Sequence, residues 1–258
     1  MSKLGHVLVT GANSGLGKYC CEQFNAVPFT RQTDYQQVLT QACEKPFDVI
    51  IHSAFNTKPN IDTSQLYSYL NDTTYLTRQM TAIPHKKFIF ISTVDVYPKD
   101  NEYHHEDEVI QLKEITNLYA LSKLMSESIV QNETDKPLIL RPTAMLGKYA
   151  KPNSLMKILF HERVSLTLTG ESIFNYIGHS DVSEFITAAI KQNLSGIYNT
   201  SASSNIQLAE VSRHFNKPVT FGSFNYRVAN ADNHKAISVI NNFKNTSMEN
   251  IKLFLQNS

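Results

Sequence analysis

Tyr119 and Lys123 stand four residues apart in the segment from Leu118 to Gln131, whose apolar spacing is helical, so both side chains leave one face. A phenol holds its proton to about pH 10 and an adjacent ammonium favours the phenolate, which makes such a pair a general acid/base near neutrality. Alone, the pair is an ordinary helix face. Two other features give it weight. Thr93 stands at the end of the apolar run KFIFIST, where a hydroxyl can hydrogen-bond a substrate oxygen. The run HVLVT leads directly into TGANSGLG, Thr10 to Gly17. There Gly11, Gly15 and Gly17 permit a tight turn, close backbone approach and close helix–strand packing. The backbone of Asn13, Ser14, Gly15, Leu16 and Gly17, opening a helix, offers N–H groups and a positive dipole end to a phosphate. In that strand–loop–helix context the triplet reads as a dinucleotide site; a purely structural turn is the alternative.

The elements that must carry these residues alternate. HVLVT, the helix from Leu16 to Phe24, AVPFT, the helix from Tyr35 to Glu44 and FDVIIHSA follow one another. Next come the helix from Gln65 to Thr81, KFIFIST, a polar loop, the helix bearing Tyr119, and PLILRPT. Strands apolar along their whole length are buried on both faces, and their alternation with helices specifies an α/β fold with a doubly wound parallel sheet. From Lys148 the regularity breaks, leaving a helix near Leu155 to His161, the strand-like SLTLTG, a helix HSDVSEFITAAI, a strand GIYNTS, a helix through Phe215 and a closing helix from Ser247. This divides the chain into a dinucleotide-binding Rossmann domain, residues 1–147, and a mainly substrate-binding lobe, 148–258, with segments near 174–200 returning to the sheet.

With 258 residues, 41% apolar and 18% charged, the chain can bury a core, and its net charge of +1 provides no field for nucleic acid or anionic membrane. No apolar run approaches the ~20 residues of a spanning helix, and Cys20, Cys21 and Cys43 suit reduced structural thiols. The expectation is a cytoplasmic protein with a small-molecule partner. At the end of the second strand an acid prefers NAD(H) and an arginine accepts the 2′-phosphate of NADP(H). Arg31 there favours NADP(H), with NAD(H) possible and a solvated loop charge as the alternative. Asp34 either caps the next helix or reaches the adenine amino group.

In these motifs the chain resembles the extended short-chain dehydrogenase/reductase family, the NAD-dependent epimerase/dehydratases. TGANSGLG, FDVIIHSAF, Asn71 in LNDTTYL, ISTVDVYP, YALSK, LRPTAMLG, GHSDVSEFITAAI and GIYNTS carry the resemblance. It implies a Rossmann domain with a small C-terminal lobe, cofactor contacts at Ser53 and Ala54, and a Thr93–Tyr119–Lys123 triad supported by Asn71. It also implies nucleotide-sugar substrates and a homodimer that packs the YALSK helix against its symmetry mate. The implied reaction is keto-sugar reduction, with or without epimerisation. A carbonyl reductase of a non-sugar metabolite and a catalytically silent NADP-binding regulator are the alternatives.

The chain also departs from the pattern. The glycine spacing is that of the shorter, single-domain branch. The stretch between AVPFT and Asp34 lacks a strand and helix, a compression shared with proteins similar to dTDP-4-dehydrorhamnose reductase. Ala144 and Phe174 stand where many relatives carry diphosphate-binding Asn and Arg; Lys148, Lys151 and Lys157 are nearby substitutes. Asp95, two residues after Thr93, would share its face on a pleated strand, as a sugar-ring acid/base or as a loop cap. Val94 stands where dehydratases carry a second acid. Tyr149 reads as a buried phenol with a satisfied hydroxyl, His104 to Glu108 as a solvated lid rather than a metal site, and His52 and His179 as polar structural residues.

Overall fold

The computed structural model describes residues 4–56, 61–115 and 117–257. Its first half runs β1 (Val7–Thr10), α1 (Gly15–Phe24), β2 (Val27–Phe29), α2 (Tyr35–Glu44), β3 (Phe47–His52), α3 (Leu66–Ala82) and β4 (His85–Ile91). Next come β5 (Tyr103–His104), α4 (Leu118–Glu133), β6 (Leu138–Pro142), β7 (Ala144–Leu146), α5 (Ser154–Phe160), β8 (Val164–Ser165), β9 (Ile173–Phe174) and β10 (Tyr176–Gly178). The chain closes with α6 (His179–Lys191), β11 (Gly196–Thr200), β12 (Ile206–Gln207), α7 (Leu208–His214), β13 (Val219–Thr220), β14 (Asn230–Ala231), α8 (His234–Ile237) and α9 (Ser247–Gln256).

Six strands form one parallel sheet in the order β11-β6-β4-β3-β1-β2. The fold is a Rossmann-type doubly wound α/β sheet, and the missing strand and helix after β2 leave β2 at its edge. Chain order reverses between β1 and β3, where open parallel sheets form a ligand crevice beyond their carboxyl ends. Both faces of the inner strands are buried as their continuous apolar runs require, whereas the edge strand β2 leaves Val27 and Pro28 exposed. Leu16, Cys20, Val182 and Phe185 of α1 and α6 cover Val9, Ile51, Ile89 and Leu140 on one side. Val38, Met80 and Val130 of α2, α3 and α4 cover Leu8, Ile50, Phe88 and Ile139 on the other.

The C-terminal lobe packs a separate core around Leu155, Leu166, Tyr176, Leu208 and Ile251. SLTLTG, expected as a strand, contributes only Ser165 to β8. Beyond it the pairing with residues 219–224 continues through single bonds, Leu166 N–H to Thr220 O at 3.0 Å and Thr169 N–H to Phe224 O at 2.9 Å, which hold a ribbon without a regular ladder. The three cysteines are free. Among the described residues, no helix is long and apolar enough to cross a membrane.

Candidate functional site

β1 delivers the chain to Gly11 (φ 70°) and Gly15 (φ 56°), both in the left-handed region that favours glycine. A Cβ on Gly17 would meet the Gly11 carbonyl oxygen at 2.4 Å, so glycine lets α1 start hard against the loop. A Cβ on Gly15 would meet nothing within 4 Å: the loop faces open space there. Ser14 is the N-cap but its side chain forms no capping bond, and the amides of Leu16 and Gly17 have no partner among the described residues. Uncapped N–H groups, a positive helix end and space at Gly15 are what a pyrophosphate needs. The amide of Gly15 itself donates to the Tyr149 carbonyl at 2.9 Å.

Thr10 ties this loop to the next one. Its Oγ1 accepts from the amides of Ser53 at 3.0 Å and Ala54 at 2.9 Å and lies 2.8 Å from His52 Nδ1. His52 Nε2 reaches Thr77 Oγ1 at 3.2 Å, and burial pushes the imidazole down to about 3, so it is a neutral strut between β3 and α3. Phe29 of β2 pairs in register with Thr10, which puts the exposed Arg31 in the turn just beyond that edge. Asp34 caps α2, its Oδ1 accepting from Gln36 N–H at 2.8 Å and Gln37 N–H at 3.3 Å. Asn13 and Ser14 are exposed on the loop.

The end of β4 holds α4 by three consecutive residues. The Ile91 carbonyl accepts from Lys123 Nζ at 2.6 Å, the Ser92 hydroxyl donates to Glu127, and Thr93 stands near enough to the Tyr119 phenol to counter part of the effect of its burial. Tyr119, Lys123 and Glu127 are successive turns of one helix face, so the spacing that made the first two stand out is the spacing that docks the helix. Thr93, Tyr119 and Lys123 are thus brought together.

Three details correct the sequence expectations. β4 stops at Ile91, and Thr93 caps a single 3-10 turn over Val94–Val96, its Oγ1 accepting from Asp95 N–H at 3.1 Å. No pleat carries Asp95 to the site; the turn does. Its Oδ1 lies 3.0 Å from Lys99 Nζ and accepts from the Tyr226 hydroxyl at 3.4 Å. Tyr226 stacks on Phe174 at 4.6 Å between ring centroids. Second, burial and the Asp95 charge push the Tyr119 phenol well up rather than down, because the Lys123 ammonium faces the Ile91 carbonyl and the Phe55 ring, 3.9 Å from its centroid. Burial lowers Lys123 to about 7, opposed by Glu127. Third, Asn71 is exposed on α3, while Tyr69, Thr73, Thr77 and Thr81 are that helix's buried polar residues.

Tyr149 is half-buried, not buried, and its hydroxyl donates to the Glu22 carboxylate at 2.6 Å. His104 does not face solvent: it stacks on Tyr97 and bonds Glu108 Oε1 at 2.8 Å and Asp100 Oδ1 at 3.0 Å. His179 is buried at the start of α6 with Nδ1 unpartnered, and burial lowers it to about 4. Sequence reasoning missed Tyr226 and the Glu127–Arg141 pair. The first has no motif and lies 131 residues from Asp95; the second was signalled by one more turn of the spacing from Tyr119 to Lys123.

No curated protein sequence matches the chain. Among solved structures, it is similar to dTDP-4-dehydrorhamnose reductase from Bacillus anthracis in complex with NADP. That match has 21% identity, 98% of this chain and 99% of that one covered, and a TM-score of 0.80. dTDP-glucose 4,6-dehydratase from the same organism, in complex with NAD, gives 12% identity, 98% and 97% coverage and a TM-score of 0.77. UDP-glucuronic acid 4-epimerase from Bacillus cereus, with a fluorinated UDP-glucuronic acid and NAD, gives 17%, 98% and 100%, and 0.71. At these identities the likeness is one of fold, but residues 7–201 also match a family model, and the chain belongs to the NAD-dependent epimerase/dehydratase family.

Proposed function

We propose that the protein is an NADP(H)-dependent reductase of a keto group on a nucleotide-activated sugar, with Tyr119 as the proton donor. The observation that carries this reading is the Tyr119 phenol, held protonated by burial and the Asp95 charge and close to Thr93, in a chain whose glycine loop is shaped for a pyrophosphate. The amides of Leu16 and Gly17 would receive the pyrophosphate, Ser53 and Ala54 would line the crevice, and Lys123 would donate to the nicotinamide ribose. Arg31, beyond the strand that pairs with β1, would meet a 2′-phosphate. The bound nicotinamide supplies the hydride. Thr93 would hydrogen-bond the carbonyl oxygen and orient it, and the proton on Tyr119 Oη would pass to that oxygen. The phenol's high proton affinity suits donation, hence the reductive direction. The similar structures in complex with NADP, NAD and a nucleotide-sugar analogue support the cofactor and substrate class.

Phe174, an aromatic stacked on Tyr226, offers no charge to a diphosphate, which favours a non-sugar ketone as second reading. A thermal-shift panel of UDP-, GDP-, CDP- and dTDP-sugars with NADPH present separates the two. Stabilisation by none of them, with turnover of a plain ketone, selects the second. Tyr119→Phe removes one hydroxyl, so the fold and cofactor binding should survive while turnover falls at least ~100-fold. A folded Tyr119→Phe protein with near wild-type turnover sinks the catalytic assignment. Leu118, Leu121, Met125 and Ile129 make a partly exposed apolar stripe on α4, and we assign it to a homodimer interface.

A further inference from the structure

Lys123 and Glu127 lie one turn apart on α4, both almost fully buried, yet they do not form an ion pair. Both oxygens of the Glu127 carboxylate are already engaged. Arg141 of β6 donates to it through Nε at 3.0 Å and Nη2 at 2.7 Å, and the Ser92 hydroxyl donates to it as well. The remaining Arg141 nitrogen, Nη1, donates to the Tyr97 hydroxyl at 2.6 Å, and that hydroxyl donates to Asn199 Oδ1 at 2.9 Å. A buried charge pair on its own is weak evidence of stabilisation, since apolar residues of the same volume serve as well. Its placement one turn below Lys123 points elsewhere.

We propose that Glu127, held by Arg141 and Ser92, is a positioning residue that keeps Lys123 charged without capturing its ammonium, so that Nζ stays aimed past Ile91 toward the cofactor crevice. A free carboxylate one turn away would draw the ammonium into a direct pair. No carboxylate at all would leave a buried ammonium with no negative charge near it, and it would shed its proton. The bidentate arginine avoids both outcomes, because it occupies both oxygens while the carboxylate's field still reaches Nζ.

The other groups around Lys123 do not replace that field. From β3 it meets His52, which is neutral. From its own helix it meets the protonated Tyr119 phenol, and from β6 only Arg141, through Glu127. The buried polar residues of α3, Thr73 and Thr77 among them, carry no charge, and the loop and β4 give Lys123 the rings of Phe55 and Phe90.

The inference rests on Lys123 as a cofactor ligand, and its test is the pH dependence of NADPH binding, followed by nucleotide fluorescence from pH 5.5 to 9. Wild type should lose affinity as Lys123 loses its proton. Glu127→Gln combined with Arg141→Met removes both charges and should melt within a few degrees of wild type. It should bind NADPH within about threefold at pH 5.5 but lose affinity at a pH about one unit lower. Arg141→Met alone should bind weakly at every pH, because Glu127 then captures the ammonium. A folded double variant with the wild-type midpoint overturns the proposal. Should the double variant not fold, Glu127→Asp keeps the charge: it should melt lower yet retain the midpoint, and a midpoint shifted by a full unit overturns the proposal. If Lys123→Met leaves the pH dependence unchanged, Lys123 is not the ligand, and the underlying site reading fails rather than the role of Glu127 within it.

Discussion

A lysine ammonium surrounded by Phe55, Phe90 and a backbone carbonyl is held where its charge costs free energy, and the cost has a sign that stability measurements can read. Burial lowers Lys123 to about 7 in the folded chain, against ~10.4 in an unfolded one. Between those values the unfolded chain binds more protons, so wild-type stability rises with pH across that window. The penalty is complete below about pH 7 and vanishes above ~10.4. Lys123→Met should therefore stabilise the cofactor-free protein at pH 6, on the order of 2 kcal/mol or ~5 °C in Tm after the lost bond to Ile91 is counted. The advantage should shrink steadily toward pH 9.5. An equal or lower melting temperature at pH 6 would show that the ammonium is better solvated than its surroundings suggest. The same residue is required for cofactor binding in our reading, so the stabilised variant should fail to gain further stability from NADPH.

At the level of elements, the glycine loop separates two kinds of glycine requirement. Gly17 is needed by the fold, since its Cβ would lie 2.4 Å from the Gly11 carbonyl, whereas Gly15 needs glycine for its φ of 56° but has open space beside it. Gly15→Ala should cost about 1–2 kcal/mol of strain and leave a folded protein. Its methyl group would fill the space a pyrophosphate needs, so NADPH affinity should fall at least ~10-fold, an outcome that Gly17→Ala cannot report if it unfolds. Calorimetric titration of folded Gly15→Ala with unchanged affinity would move the cofactor away from this loop. These elements were largely legible in the sequence, because apolar runs buried on both faces and helices of 3.6-residue period are local patterns. The end of β4 was not. KFIFIST is apolar to its last positions, but Thr93 turns its hydroxyl back to the Asp95 amide, and one such local bond converts the expected pleat into a 3-10 turn. The exposure of Asn71 was not legible for a related reason: a motif match fixes a residue's position along α3, not the face it leaves by.

Across the whole molecule, the missing strand and helix leave a six-stranded sheet, and the turn after β4 is met from the C-terminal side by residues that no local pattern connects to it. Tyr226 reaches Asp95 and stacks on Phe174, and the packing of Val228 and Ala229 against Val94, Val96 and Tyr97 fixes that approach. Such long-range meetings were illegible in a single sequence. The outer face of α4 raises the opposite question, since its apolar residues join no core cluster among the described residues. Met125 is 38% exposed, and Leu118, Leu121 and Ile129 flank it at helical spacing, three and four residues apart. On neighbouring α3, Tyr67 and Tyr75 are also exposed. Apolar residues aligned on one helix face mark an interface, and the simplest partner is a second copy meeting the same stripe about a two-fold axis. The protein at micromolar concentration should then sediment as a dimer. Leu121→Glu combined with Met125→Glu places four carboxylates on the axis and should give a monomer. The buried face of α4, with Lys123, Ser126 and Glu127, is untouched by these changes, so the monomer should still bind NADPH and melt cooperatively. Sedimentation of wild type as a monomer, or of the double variant as an unchanged dimer, would remove this face as the interface and leave the stripe for another partner.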